Sequence, residues 1–266
     1  MTLLVALTLI ASGLYVTAAA LLSRRLATGR GRREPGLVAA GVALLAHAIA
    51  LGVMLARDGG LTLGLFNSAS IIGWLMALML VVTAPRRPIA DLGIAVFPIA
   101  AAAALADSLV SNSHPPADPF AGGIEIHVGL AILAHAVLGL TAAQAAVVAI
   151  QDHHLRHHRP GGFIRQLPAL QTMEILQFSL LRLGFALLTC GLITGAVFVE
   201  DLLAQHLVHK TVLSIAAWVV FGVLLWGHYR YGWRGQTATR GILAGFAVLA
   251  VGFFGSKIVL EFILQP

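Results

Sequence analysis

Eight apolar runs follow one another along the chain, and polar, basic or proline-containing segments separate them. Each run is close to the roughly 20 helical residues that cross the hydrocarbon core of a bilayer. Because water is absent there, each run must satisfy its own backbone as a helix. We therefore predict an all-α, polytopic membrane bundle of about eight transmembrane helices, formed by residues 2–22, 36–56, 62–84, 89–110, 126–150, 176–199, 211–229 and 239–262.

Composition supports this prediction. The chain is 59% hydrophobic and only 11% charged, with a mean hydropathy of +0.91, whereas soluble domains are about 45–50% apolar and about 25% charged. No stretch is polar enough for a separate soluble domain, so we expect residues 1–266 to form a single integral-membrane domain. The sequence pI is about 10.4, but the basic residues are spread over alternate loops, so the lipid bilayer is the expected partner and nucleic acid is not.

The loop charges predict the orientation, because Lys and Arg are retained on the cytoplasmic side. The loops after the first, third, fifth and seventh runs carry most of the arginines, so we expect both termini to be extracytoplasmic and the protein to span the bacterial inner membrane several times. Arg182 lies inside the sixth run, where its stem can extend toward the interface. The loop arginines are Arg24, Arg25, Arg30, Arg32, Arg33, Arg86, Arg87, Arg156, Arg159, Arg165, Arg230, Arg234 and Arg240.

The usual motifs of soluble enzymes are absent from the sequence. It has no glycine-rich phosphate loop with its lysine, no G-x-S-x-G elbow and no H-E-x-x-H pair. With one cysteine, Cys190, neither an internal disulfide nor a four-cysteine zinc site can form. Glycines four apart, at 191 and 195 and at 241 and 245, predict close helix packing within the bundle, with a dimer interface as the alternative.

The 11 histidines carry the remaining chemistry, because a neutral imidazole is a common ligand of metals and of haem iron. Their placement on the predicted topology suggests a membrane protein that handles haem or a metal. His114, His127, His206 and His209 fall on the outer side; His153, His154, His157 and His158 on the cytoplasmic side; and His47, His135 and His228 within or at the edge of helices.

Several stretches resemble the CcsA/CcmC-type cytochrome c assembly proteins, and among them the YpjD-like inner-membrane branch. The likeness is firm over about residues 124–262, and in the N-terminal part His47, within Ala46–His47–Ala48, resembles the second-helix histidine of the family. The stretches are 126–136 (IHVGLAILAHA), 191–198 (GLITGAVF), 209–218 (HKTVLSIAAW), 232–235 (GWRG) and 252–255 (GFFG).

The resemblance implies a bundle that binds b-type, non-covalent haem through axial histidines and presents it to apocytochrome c or another assembly factor. It implies an accessory role rather than an independent catalyst. The sequence departs from the family between the sixth and seventh helices, where the tryptophan-rich haem platform is replaced by EDLLAQHLVHK at 200–210. Haem ligation is therefore favoured over haem delivery, and a non-haem accessory in metal-ion transport or envelope homeostasis is the alternative.

Two groups of histidines are candidate ligands. At the outer surface, the family resemblance points to His127, and His206 and His209 are its natural partners because residues three apart share a helix face. Within the bilayer the resemblance pairs His47 with His228. A depth count at about 1.5 Å per residue instead brings His135 closer to the level of His47, so both pairings stay open. In each group the alternative is a structural or solvated histidine.

Overall fold

The computed structural model describes residues 2–58, 64–87, 89–110, 123–157, 162–198 and 205–255. Every regular element in these ranges is a helix, and eight helical segments within them are long and apolar enough to cross a membrane. The predicted all-α multi-pass architecture is confirmed. The main helices are α1 (Thr2–Thr28), α2 (Glu34–Asp58), α3 (Leu65–Thr83), α4 (Gly93–Leu109), α5 (Ile124–Arg156), α6 (Leu170–Phe198), α7 (Gln205–Tyr231) and α8 (Gln236–Ala250).

Several helix ends lie beyond the apolar runs that predict them. Helix α5 continues past 150 to Arg156, and α6 begins at Leu170 rather than near 176. An apolar run marks only the part of a helix that lipid surrounds, whereas residues with good helix propensity, such as Gln and Arg, extend the backbone hydrogen bonding into polar surroundings. Helix α8 ends in a π-helical turn at Val251–Gly255, and the rest of the eighth predicted run lies outside the described residues.

The chain packs as two compact units. The N-terminal unit comprises Met1–Pro119 together with Pro160–Pro168, and the C-terminal unit comprises Phe120–Arg159 with Ala169–Pro266. In the N-terminal unit α1 packs on α2 and α4, and α3 packs on the same two helices, so that the four form a closed ring. Tyr15 and Phe97 are fully buried at its centre, with ring centroids 5.9 Å apart.

The C-terminal unit is a second four-helix ring. Helix α5 packs on α6 and α8, and α7 packs on the same two helices. Glycines allow the close approach of α7 and α8, because a Cβ at Gly241 would lie 2.6 Å from Leu224 and one at Gly245 would lie 2.6 Å from Phe221. The predicted packing role of this glycine pair is confirmed within the unit.

Candidate functional site: the histidines

His127 lies in the first turn of α5, half-buried, and contacts α6. Its Nδ1 is 2.8 Å from the backbone oxygen of Gly191. A carbonyl oxygen can only accept, so Nδ1 carries the proton and Nε2 keeps its lone pair. Histidine ligands of metals are commonly held by this kind of hydrogen bond, which fixes the tautomer and the ring orientation. In the neutral form of the ring, Nε2 is therefore the basic nitrogen.

Glycine on α6 makes room for the ring of His127. A Cβ at Gly195 would lie 2.9 Å from Cε1 and 3.1 Å from Nδ1 of His127. At Gly191 a Cβ would approach the backbone nitrogen of Ala131 at 3.9 Å. Of the two glycines predicted to serve helix packing, Gly195 thus has a specific partner, because it leaves room for the imidazole beside α6.

The predicted partners of His127 lie near the start of α7. His206 and His209 both fall in the first turns of α7, as their spacing predicts. His209 is exposed, whereas the side chain of His206 is outside the described part of the structure, as are residues 199–204 and His114. A direct pairing of His127 with His206 or His209 stays a prediction.

His135 lies two turns further along α5 and is buried. Its Nδ1 donates to the backbone oxygen of Ala131 at 2.7 Å, one turn earlier in the same helix. Its ring packs on Phe253 in the π-helical turn, with centroids 4.5 Å apart. The site is therefore an apolar one between α5 and the end of α8.

His228 lies in the last turn of α7. Its Nδ1 donates to the backbone oxygen of Trp233 at 2.8 Å, and its ring stacks on Phe178 of α6 with centroids 3.6 Å apart and planes 18° apart. The ring also lines a cavity of about 260 Å³. As at His127, donation through Nδ1 leaves Nε2 as the basic nitrogen.

His47 belongs to the N-terminal unit and is only 1% exposed. Its Nε2 is 3.0 Å from Oγ of Ser70, and its Nδ1 is 3.4 Å from Oη of Tyr15. Both ring nitrogens therefore have hydrogen-bond partners, which is the arrangement of a packed core histidine. His135 and His228 belong to the other unit, so each pairing proposed for His47 stays a prediction.

The histidine run that the sequence predicts to be a cytoplasmic loop is instead helical up to Arg156, and His158 lies outside the described residues. His153 and His154 end α5, and His157 caps it. The rings of His153 and His157 are exposed with centroids 4.3 Å apart. Across the described ranges no three His, Cys, Asp or Glu side chains come together as a metal site.

The arrangement at His127 fits haem better than a multi-ligand metal site. Axial ligation needs one neutral imidazole with a free basic nitrogen, and the Gly191 carbonyl supplies that condition at His127. The sequence could not reveal this carbonyl, because it is 64 residues away. The one related feature of the sequence is the glycine spacing on α6, which predicts close helix packing there. Tyr15 and Ser70, the partners of His47, also could not be predicted, because no sequence pattern links them to His47.

Comparison with known proteins gives a consistent result. Residues 36–264 match the family described as "Cytochrome C assembly protein". The chain is 33% identical over 242 residues to "Inner membrane protein YpjD" of Escherichia coli strain K12, covering 88% of this chain and 89% of that protein. It is 25% identical over 114 residues to "Cytochrome c biogenesis protein CcsA" of Gloeothece citriformis, covering 42% and 35%, and 28% identical over 116 residues to the protein of that name from Picosynechococcus, covering 43% and 34%.

The family match begins well before the region 124–262, where the motifs are clearest, and includes the stretch around His47. No solved structure matches this chain significantly. The predicted resemblance and the multi-pass inner-membrane location are confirmed by the family match, the YpjD similarity and the eight spanning helices.

Proposed function

The chain belongs to the cytochrome c assembly protein family, and on that premise we propose that it binds non-covalent b-type haem through His127. The observation that carries the proposal is the hydrogen bond from Nδ1 of His127 to the Gly191 carbonyl. It leaves Nε2 as the basic atom of a neutral imidazole, which is the form that ligates haem iron.

The described residues would each contribute a separate part of such a site. His127 would hold the iron, the Gly191 carbonyl would keep the ring in one tautomer, and Gly195 would leave the ring its place beside α6. Bound haem would supply a redox-active iron centre. His206 or His209, in the first turns of α7, would provide a second ligand.

Haem ligation, rather than haem delivery, is the activity we assign. The segment between α6 and α7 carries no tryptophan, so an aromatic platform of the kind expected in this loop is missing from the sequence. Apocytochrome c or another assembly factor is the proposed partner, and the protein would act as an assembly accessory rather than as an independent catalyst. The loop charges predict that His127 lies on the extracytoplasmic side.

The interior histidines are proposed as a second haem site with lower priority. His228 shares the tautomer arrangement of His127, through the Trp233 carbonyl. His47 would pair with His228 by the family resemblance or with His135 by depth. A ligand role for His47 would require it to give up its hydrogen bond to Tyr15 or to Ser70.

A non-haem accessory role in metal-ion transport or envelope homeostasis is the second candidate. The tryptophan-free segment at 199–210 favours it. The two candidates differ in one measurable property, which is the uptake of haem by the purified protein.

The test is the absorption spectrum of detergent-purified protein, as isolated and after titration with hemin. We expect a Soret band for the wild type and a lower occupancy or a shifted band for His127→Ala. The matched control is His153→Ala, because His153 is an exposed histidine on the same helix. Its spectrum should equal that of the wild type. Identical haem occupancy and spectra for wild type and His127→Ala would overturn the His127 site, and no Soret band in any sample would favour the non-haem role.

A further inference from the structure

Arg182 is a charged residue in the middle of an apolar helix. It lies within the segment Leu170–Phe198, which is long and apolar enough to cross a membrane, and its side chain is exposed. A charge at membrane depth is costly without a partner, and such residues mark functional sites. Arg182 is therefore a candidate functional residue.

The hydrogen-bond partners of Arg182 are both neutral. One terminal nitrogen donates to Oη of Tyr229 at 3.0 Å, and the other donates to Oγ of Ser179 at 3.2 Å. The ion pairs among the described residues join Arg25 to Asp91 and Arg156 to Asp152, so no described carboxylate neutralises Arg182. A guanidinium has five N–H donors in a fixed fork, and two are used here, so donors remain for an anion.

Arg182 borders a cavity of about 260 Å³ in the C-terminal unit, between α6, the end of α7 and the turn that leads into α8. Arg234, on that turn, is the second cation of the cavity, and it has no hydrogen bond or ion pair with another described residue. Ile175 and Phe178 give the cavity an apolar wall. A wider cavity of about 510 Å³ shares Glu174 and Arg234 with it.

The carboxylates at the wider end are already engaged. Oε1 of Glu174 accepts a hydrogen bond from the backbone nitrogen of Gly235 at 2.9 Å. Both oxygens of Asp152 accept from Nε of Arg156, at 2.9 and 3.0 Å. With two guanidinium groups and one carboxylate, the narrower cavity carries a net positive charge and complements a singly charged anion.

The exposed aromatic residues beside the cavity are typical of the edge of the hydrocarbon layer. Trp226 is 63% exposed and Tyr229 is 66% exposed, both in the last turns of α7. Trp and Tyr are enriched at the level of the lipid headgroups. Basic pockets between membrane helices on the cytoplasmic side bind anionic headgroups, and the loop charges predict that this is the cytoplasmic side.

We propose that the cavity lined by Arg182 and Arg234 binds the phosphodiester headgroup of an anionic phospholipid. The two guanidinium groups donate to phosphate oxygens, since arginine forms strong, directional hydrogen bonds with phosphate. An acyl chain lies against the exposed side chain of Ile175, next to Phe178. The site is separate from His127. His228 lines the same cavity, so a bound headgroup and haem at His228 would exclude each other.

The test is native mass spectrometry of haem-free, detergent-purified protein titrated with phosphatidylglycerol. Arg182→Gln and Arg234→Gln should each weaken the tightest lipid-binding event by about tenfold or more, because each loses charge-assisted hydrogen bonds. Arg240→Gln is the matched control, since Arg240 is an exposed arginine on α8 whose hydrogen-bond partner among the described residues is Gln236 on the same helix. Phosphatidylcholine should bind the wild type more weakly than phosphatidylglycerol.

Three results would contradict the proposal. The first is equal binding of phosphatidylglycerol by the wild type and both variants, and the second is equal binding of phosphatidylcholine and phosphatidylglycerol. The third is displacement of the lipid by millimolar inorganic phosphate, which would show that the site recognises a free anion. If Arg182→Gln does not fold, Arg234→Gln decides the outcome, because Arg234 lies on an exposed turn outside the helices.

Discussion

His127 and Gly191 are joined across the α5–α6 interface by a hydrogen bond of 2.8 Å from the imidazole Nδ1 to the backbone oxygen. The bond fixes the chemistry of the ring, because it assigns the proton to Nδ1 and leaves Nε2 basic. It also ties the ring position to the packing of two helices. The haem proposal therefore depends on helix packing as well as on His127 itself.

Gly195→Ala tests this dependence without removing the ligand. A Cβ at Gly195 would lie 2.9 Å from Cε1 of His127, so the ring must move and the bond to Gly191 should lengthen. We expect a loss of about 1–3 kcal/mol in the free energy of unfolding, as for overpacked sites, together with a changed Soret band. Thermal unfolding and the absorption spectrum measure the two effects.

Gly129→Ala is the matched control for that substitution. Gly129 lies on α5 near His127, and a Cβ there would meet nothing within 4 Å. We expect unchanged stability, or a slight gain from the better helix propensity of Ala, and an unchanged spectrum. If the two glycine variants behave alike, the contact between Gly195 and His127 has no functional consequence.

The eight spans could be predicted from the sequence because lipid imposes a simple rule, that each buried backbone must be a helix of sufficient length. The tautomer of His127 could not be predicted. It depends on the relative rotation of α5 and α6, which brings Gly191 to the imidazole, and no local pattern encodes that rotation. The same holds for His47, whose partners Tyr15 and Ser70 come from α1 and α3.

The helix ends show a second limit of prediction from hydropathy. The apolar run that predicts α6 begins near 176, but the helix begins at Leu170. Its polar first turns carry Gln171 and Glu174, which line the wider cavity beside α5. Hydropathy detects where lipid surrounds a helix. A helical extension outside that zone is therefore not visible in the hydropathy pattern, and neither is a cavity that the extension forms.

The orientation of the bundle is a prediction from the loop charges. A periplasm-active reporter fused after Pro266 should be active, and the same reporter inserted near Gly161 should be inactive, because arginine-rich loops stay in the cytoplasm. A cytoplasm-active reporter at the same two positions should give the opposite pattern and serves as the control. The reverse result would move His127 to the cytoplasmic side and the proposed lipid site to the outer leaflet.

His228 and His135 are alternative partners in the predicted interior site, and single substitutions separate them. If an interior haem exists, His228→Ala or His135→Ala should remove its low-spin signal, and only one of the two should do so. Nδ1 donates to a backbone carbonyl in both histidines. We expect His228 to be that residue, because its ring borders a cavity. Loss of the signal in His135→Ala alone would assign the site to His135 instead.

The last prediction separates a ligand role from a packing role for His47. His47→Ala removes the partner of the Ser70 and Tyr15 hydroxyls in a buried site, so we expect a loss of about 1–3 kcal/mol in the free energy of unfolding. If hydrogen bonding is the role, His47→Gln should restore much of that stability, because an amide both donates and accepts, and His47→Met should not.

If His47 is a haem ligand, Met rather than Gln should compensate for its loss, and the effect should appear in the haem spectrum rather than in stability. A thioether also ligates haem iron, so His47→Met should then partly restore a low-spin signal that His47→Ala loses. Both ring nitrogens have hydrogen-bond partners, so rescue of stability by Gln with no change in the haem spectrum would assign His47 to packing. Rescue of a low-spin signal by Met would show that His47 exchanges these hydrogen bonds for iron.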